Sequence, residues 1–140
     1  MFGSLSAGLA FSNASLGAVH AMAHSVGGMF DAPHGECNSL LVDHVIRFNW
    51  SQAGHRYREL ADIFDLSLEG LAARDARDAI VDTVFRFKKR VGITRTLTNY
   101  GIQEQDIPHL ARMAVNDPGM ATNPVPPTIS DIEAIYAQAL

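Results

Sequence analysis

Apolar residues along this chain recur at every third or fourth position, which is the spacing of one face of an α-helix. No segment shows the strict alternation that a half-buried β-strand requires. The most regular stretch is 75–91, and Gly92 follows it as an expected C-terminal cap. Its apolar positions fall at helical intervals at Ile80, Val84, Phe87 and Val91. This pattern predicts an amphipathic helix that packs one face on a core.

Similar spacing predicts further helices at 5–10, 16–27, 36–50, 55–64 and 106–115, and a last helix that begins at Thr128 or Ser130. We expect the first to break at Ser12-Asn13 and the second to end at Gly27-Gly28. The last is expected to begin with a capping box that includes Ser130 and Glu133. The sequence therefore predicts an all-α fold, a bundle of about six helices that forms a single domain over residues 1–140.

Composition narrows the class of protein. The 140 residues are 47% apolar and 19% charged, as in a chain that folds around one core. The net charge of −4 and the lack of a basic run disfavour nucleic acid as a partner. A single cysteine, Cys37, cannot form an internal disulfide and fits a reducing compartment. With no recognisable signal peptide and no apolar stretch of membrane-spanning length, we expect a cytoplasmic protein with no membrane partner.

Three of the six histidines, His20, His24 and His34, lie close together in a segment of small and apolar residues. His20 and His24 are four residues apart, so they share one face of the predicted helix 16–27. His34 follows a turn in which Pro33 fixes the backbone. Neutral imidazole is a frequent ligand of zinc and iron, and buried imidazoles need partners. The cluster therefore indicates a metal site on which two or three rings converge.

Spacing alone leaves a second interpretation open. A histidine pair four residues apart arises often by chance, and a single histidine on an apolar face is usually a core residue with a satisfied hydrogen bond. Catalytic zinc usually has three protein ligands and structural zinc four. Asp31 and Glu36 are near in sequence, but they serve equally well as solvated helix caps. A metal site and a set of structural histidines are both compatible with the residues.

The order of several motifs is more specific. Phe11-Ser12-Asn13 precedes the segment His20-Ala21-Met22-Ala23-His24, and Gly27-Gly28, Pro33-His34-Gly35 and the segment 43–49 follow it. In this combination the sequence resembles the iron-containing (group III) alcohol dehydrogenases. Similar residues at 57–61, 91–93, 106–108, 122–124 and 131–132 extend the resemblance over essentially the whole chain. The implied fold is the later part of the C-terminal helical domain of the dehydroquinate synthase-like fold.

The resemblance implies a role for four residues. His20 and His34 correspond to two histidine ligands of a metal, iron(II) or sometimes zinc. His24 corresponds to a histidine near the nicotinamide and the substrate, a catalytic residue that relays a proton. Phe11 corresponds to an aromatic residue that lines the pocket, so Phe11 and His24 are candidates for contact with the cofactor. The implied reaction is hydride transfer with NAD(P), which interconverts alcohols with aldehydes or ketones.

The sequence also departs from the pattern of that family. It has no Gly-rich nucleotide loop, no α/β half and no Asp-x-x-x-His segment, which supplies the other two metal ligands. The resemblance thus implies a partial helical domain that is inactive alone and needs a missing N-terminal half or a second chain. Such a piece should expose apolar surface, and we expect it to form a homo-oligomer.

Two groups of alternatives remain. Glycerol dehydrogenase, dehydroquinate synthase and maleylacetate reductase carry similar paired histidines, and His34-Gly35-Glu36 resembles a turn of the first two. The Phe11-Ser12-Asn13 motif and the 20–24 segment favour the alcohol dehydrogenases. The alternative from a different class is a non-catalytic helical module that self-associates or binds a partner, with histidines inherited from an enzyme ancestor.

Overall fold

The computed structural model describes all 140 residues, and the predicted all-α fold is confirmed. Its seven α-helices are α1 (Phe2–Ala14), α2 (Ala18–Phe30), α3 (His34–Tyr57), α4 (Leu60–Ile63), α5 (Ala73–Arg90), α6 (Ile107–Val115) and α7 (Ile129–Ala139). Short 3-10 helices occupy Leu97–Tyr100, Glu104–Asp106 and Pro118–Thr122. No helix is at once long enough and apolar enough to cross a membrane.

Helix α2 lies at the centre of the bundle and packs against α3 and α6. Helix α7 closes the core by packing on α6 and α3, and α5 lies against α3. The main core includes Met22, Leu41, Leu110 and Ile132, all fully buried. Each such side chain contributes about 1.5–3 kcal/mol through burial. These contacts anchor α2 and the start of α3, which carry the three clustered histidines, to the main core.

Helix α2 does not end at Gly27-Gly28, as the sequence suggested, but continues to Phe30. Phe30 packs against the main core, and this apolar contact outweighs the roughly 1 kcal/mol that each glycine costs a helix. The helix ends where Asp31 adopts a left-handed conformation with φ of 50°. Pro33 then caps α3, with φ of −59°. The reversal between α2 and α3 therefore takes only three residues.

Two other predicted boundaries were wrong. Helix α1 runs through Ser12 and Asn13, whose side chains donate hydrogen bonds to backbone carbonyls four residues earlier, at 2.7 and 2.8 Å. The predicted helix 55–64 is divided between the last turn of α3 and the short α4. Trp50 and Tyr57 stack with ring centroids 6.1 Å apart, which extends α3 beyond the predicted end at residue 50.

The apolar face of α5 was predicted correctly only in its first half. Ile80 is fully buried, but Phe87 and Val91 are exposed. Lys88 takes the inward position near the end of the helix, because it pairs with Asp43 of α3. Phe87 instead contacts Phe64 at the surface, with centroids 5.6 Å apart.

Asp43 and Lys88 form a buried ion pair between α3 and α5. The Lys88 Nζ lies 2.5 Å from Asp43 Oδ1, and the two side chains are 10% and 5% exposed, respectively. Charges this well removed from water must be matched to each other. The pair therefore fixes how α5 sits on α3.

A buried pair of amides joins three parts of the chain. Asn49 and Asn123 each donate to the other, with donor–acceptor distances of 3.0 and 2.8 Å. Asn123 Oδ1 also accepts from the backbone N–H of Ala18, and its Nδ2 donates to the carbonyl of Val125. Gly17 permits this approach, because a Cβ there would lie 3.1 Å from Asn123 Oδ1. The start of α2, the middle of α3 and the loop before α7 are thereby connected.

Helix α7 begins with a capping box formed by Thr128 and Asp131. Of the two predicted starts, Thr128 is therefore correct, while the predicted box with Ser130 and Glu133 is wrong. Thr128 Oγ1 accepts from the backbone N–H of Asp131, and Asp131 Oδ2 accepts from the backbone N–H and the hydroxyl of Thr128. These bonds hold the pKa of the Asp131 carboxyl below its ordinary value.

Thr128→Ala should lower the free energy of unfolding by about 1 kcal/mol at neutral pH. A depressed folded-state pKa adds stability above the unfolded pKa, and this stability is lost as the pH falls through the folded value. The difference between the wild type and Thr128→Ala should therefore shrink in acid. Urea unfolding at neutral and acidic pH measures it, with Ser130→Ala as the matched control. Equal losses in the two variants would contradict the assignment of the box.

Helix α1 contributes no buried residue to the structure. Its exposed apolar side chains are those of Phe2, Leu5, Leu9 and Phe11, preceded by Met1. A helix that buries no side chain gains little from packing, so an apolar helix of this kind ordinarily has a partner surface. The predicted exposure of apolar surface is thus present and is concentrated at the N-terminal helix.

Candidate functional site

The structure brings the three clustered histidines together beside α2. His20 and His24 lie on one face of α2, and His34 is the first residue of α3 after the reversal at Pro33. The ring centroid of His34 lies 5.4 Å from that of His20 and 5.3 Å from that of His24. The centroids of His20 and His24 are 6.2 Å apart. None of the three rings is bonded to a main-chain group, so they face one another rather than separate backbone partners.

His20 is the most enclosed of the three. Burial lowers its pKa from the ordinary histidine value, and the neighbouring His34 and His24 lower it further, while Asp117 opposes them. The lowered pKa favours the neutral form of His20, which is the form in which imidazole binds metals. The ring of Phe11, at the end of α1, stands 6.4 Å from it.

His24 is held by a carboxylate from a distant part of the chain. Its Nδ1 lies 2.9 Å from Oδ2 of Asp117, which precedes the 3-10 helix Pro118–Thr122. The other oxygen, Oδ1, accepts from the backbone N–H of Gly119 at 2.7 Å. A carboxylate that pairs with one nitrogen of an imidazole fixes the ring and directs the other nitrogen.

His34 has an amide partner on its own helix. Asn38 Nδ2 donates to His34 Nε2 at 2.9 Å, one turn further along α3. The side-chain oxygen of Asn38 is buried and has no hydrogen-bond partner. An unmet buried acceptor is uncommon in folded proteins. A metal at Nε2 of His34 would replace the bond from Asn38.

The donor chemistry of the cluster fits part of a metal site. Two imidazoles that share a tetrahedral metal have centroids about 5 Å apart, given metal–nitrogen bonds of roughly 2.0–2.1 Å. His20 and His34, at 5.4 Å, match that separation, and so do His24 and His34, at 5.3 Å, so the ring spacing does not by itself choose between the pairs. No group of three or more His, Cys, Asp or Glu side chains is arranged to hold a metal ion. The residues present are therefore compatible with two donors of a site that further ligands complete.

A cleft of about 690 Å³ opens beside His20. It lies between the end of α1, the start of α2 and one face of α3. Its walls are mainly apolar and include Phe11, Val42, Ile46 and Leu60. His20 and Asn38 also line the cleft, so a molecule in it would have mainly apolar walls with a few polar groups among them.

All four residues that the sequence singled out, Phe11, His20, His24 and His34, lie in this one region. Asp117 and Asn38 were missed by the sequence analysis. Asp117 is 93 residues from His24, so no local spacing links them. The one available signal was the Asp117-Pro118 dipeptide after α6, which is typical of a residue that caps a following helix.

Comparisons with known proteins agree on one family. A family model described as "Fe-containing alcohol dehydrogenase family, C-terminal" matches residues 1–140. Lactaldehyde reductase of Escherichia coli is 40% identical over 133 residues, which are 95% of this chain and 35% of that protein. Alcohol dehydrogenase 4 of Schizosaccharomyces pombe is 42% identical over 134 residues, which are 95% of this chain and 31% of that protein.

Solved structures give the same result. A crystal structure of 1,3-propanediol oxidoreductase matches with a TM-score of 0.90 and 37% identity. The match covers 96% of this chain and 35% of that one. The chain therefore spans about a third of the length of the curated relatives and of the solved structure that it matches.

Proposed function

Because the chain belongs to the iron-containing alcohol dehydrogenase family, we propose that it is the metal-binding helical portion of an NAD(P)-dependent oxidoreductase. The complete enzyme would interconvert small alcohols with aldehydes or ketones. The observation that carries this proposal is the meeting of His20, His24 and His34 in one cluster, within a chain that matches the family model from end to end.

His20 and His34 are the proposed metal ligands. Burial lowers the pKa of His20 and so favours its neutral form, and the separation of the two rings is compatible with a shared ion. Divalent iron or zinc, when bound, would polarise the oxygen of the alcohol or carbonyl as a Lewis acid. Imidazole serves both metals, so the choice between them depends on the remaining ligands and on metal supply. Those ligands would come from the part of the enzyme that this chain does not contain.

His24 is the proposed proton-transfer residue. Its Nδ1 is bonded to Asp117, which leaves Nε2 free to exchange a proton with a substrate hydroxyl. The side chain of His24 is 41% exposed, so a proton can pass from it to water. Phe11 would form an apolar wall of the pocket beside His20 and restrict where substrate and nicotinamide lie.

The proposed partner is the nucleotide-binding portion of a family enzyme, either in the same polypeptide or in a second chain. It would supply the hydride donor, the remaining ligands and a cover for the exposed apolar residues of α1. We also propose that the assembled protein is a homo-oligomer. The one cysteine, Cys37, is buried and free, which supports placement in the reducing cytoplasm.

A chimaera tests the proposal directly. The segment of E. coli lactaldehyde reductase that aligns with this chain is replaced by residues 1–140, and NAD(P)H-dependent reduction of short aldehydes is measured. We expect activity and one bound metal per chain. His20→Ala and His34→Ala should each weaken metal retention by more than about 100-fold, since even the groups that orient ligands are worth 10–100-fold.

His55→Ala is the matched control, because His55 is exposed and distant in sequence from the cluster. A chimaera that folds, as judged by circular dichroism and cooperative unfolding, but binds no metal and reduces no aldehyde would contradict the proposal. If the folded chimaera is inert, the exposed helix α1 favours the second candidate, a non-catalytic helical module. Self-association of the isolated chain through α1 would then be its remaining activity.

A further inference from the structure

We propose that Asp117 is a positioning residue that fixes the tautomer of His24, an inference that rests on the proposed function of His24. The carboxylate of Asp117 has two bonds to two different donors. Oδ2 faces Nδ1 of His24 at 2.9 Å, and Oδ1 accepts from the N–H of Gly119 at 2.7 Å. The side chain is 18% exposed, so little water competes for either oxygen.

The chemistry of the pair determines where the proton of His24 lies. An ionised carboxylate only accepts hydrogen bonds, so Nδ1 must carry the hydrogen that it shares with Asp117. In the neutral ring Nε2 is then the unprotonated nitrogen and the only base. The His24 ring stacks on His34 at 5.3 Å with an interplanar angle of 18°, so the ring lies within the cluster.

The Gly119 bond prevents the carboxylate from turning away. Gly119 N–H is the first free donor of the 3-10 helix Pro118–Thr122, and Asp117 is its cap. One side chain therefore couples the end of a loop to the orientation of a ring on α2. The role requires two acceptor oxygens on one side chain. Asparagine, the uncharged isostere of aspartate, has only one.

Asp117→Asn makes the sharpest test, because an amide has one acceptor and one donor. If the amide oxygen stays on Gly119 N–H, the NH₂ group faces His24 and can only donate. His24 Nδ1 must then accept, and the proton of the neutral ring moves to Nε2. The substitution keeps the shape of the side chain but inverts the tautomer, so that Nε2 is no longer a base.

The tautomer is measured on the full 140-residue chain with ¹⁵N-labelled histidine, in long-range ¹H–¹⁵N spectra at a pH about two units above the ordinary histidine pKa. We expect His24 to be protonated on Nδ1 in the wild type and on Nε2 in Asp117→Asn. Asp131→Asn, the same change at the cap of α7, should leave His24 unchanged. A wild-type His24 protonated on Nε2, or an unaltered tautomer in Asp117→Asn, would overturn the proposal.

The wild-type spectrum is a test by itself if the variant does not fold. In an active chimaera, Asp117→Asn should lower kcat by about 10–100-fold and change KM little, because the lost function is proton transfer and not substrate contact. The two proposals fail separately. An inert chimaera with the expected tautomer contradicts only the proposed function, whereas an active chimaera with the wrong tautomer contradicts only the role of Asp117.

Discussion

Lys88→Met should lower the free energy of unfolding by about 3–5 kcal/mol, the cost of leaving one member of a buried ion pair without its partner. Methionine fills nearly the same volume as the lysine side chain, so packing changes little. Asp43 then remains beneath α5 with its side chain only 5% exposed and without its ion-pair partner. Chemical denaturation of the chain, followed by circular dichroism, measures the loss.

Lys89→Met is the matched control on the next residue. Lys89 is exposed and lies over the ring of Phe85 at 4.4 Å, and the loss of this exposed cation–π contact should cost no more than about 1 kcal/mol. The double variant Asp43→Leu with Lys88→Met removes both charges and should recover most of the stability. It also keeps the test valid if Lys88→Met alone fails to fold. Similar stabilities for Lys88→Met and Lys89→Met would show that the ion pair does not form in solution.

Asn123→Ala should have the second largest effect, a loss of about 3 kcal/mol. The change removes both partners of the Asn49 amide and the acceptor of the Ala18 N–H, and each buried group left unpaired costs roughly 1–3 kcal/mol. Asn49 is 2% exposed and Ala18 is fully buried, so water cannot replace the missing bonds.

Asn116→Ala is the control for this prediction. Asn116 lies in the same connection between α6 and α7, but its side chain is exposed and bonds only to the carbonyl of Arg112. We expect urea unfolding to show less than about 0.5 kcal/mol of change for it. Hydrogen exchange of the first turn of α2 should accelerate in Asn123→Ala, since Ala18 begins that helix. If exchange in this turn is unaltered, the amide pair does not anchor α2.

The helices were predictable wherever one side of the segment faces the core. Ile107, Leu110, Ala111 and Ala114 are all buried, as their spacing indicated. The errors fell where a long-range or side-chain contact overrides the local signal. Gly27-Gly28 stays helical because Phe30 packs on the core, and Phe87 turns outward because Lys88 pairs with Asp43. A local pattern carries no information about a partner 45 residues away.

The candidate site likewise has residues that the sequence predicted and residues that it did not. The convergence of His20, His24 and His34 follows from one helical interval and one proline turn, and both are visible in the sequence. Asp117 reaches His24, and Asn123 reaches Ala18, only through the packing of α6 on α2 and of the following loop beside it. The groups that hold the site were therefore hidden from sequence reasoning, while the groups that would perform chemistry were not.

Phe11 differs from the histidines in what supports it. His20 and His34 stand on helices anchored in the core, but Phe11 stands on α1, which has no buried residue. A helix of this length that buries no side chain gains little stability from packing. The aromatic wall of the site therefore has less support from the core than the histidines have. A partner surface that packs against α1 would hold Phe11 in place and so complete the wall of the pocket.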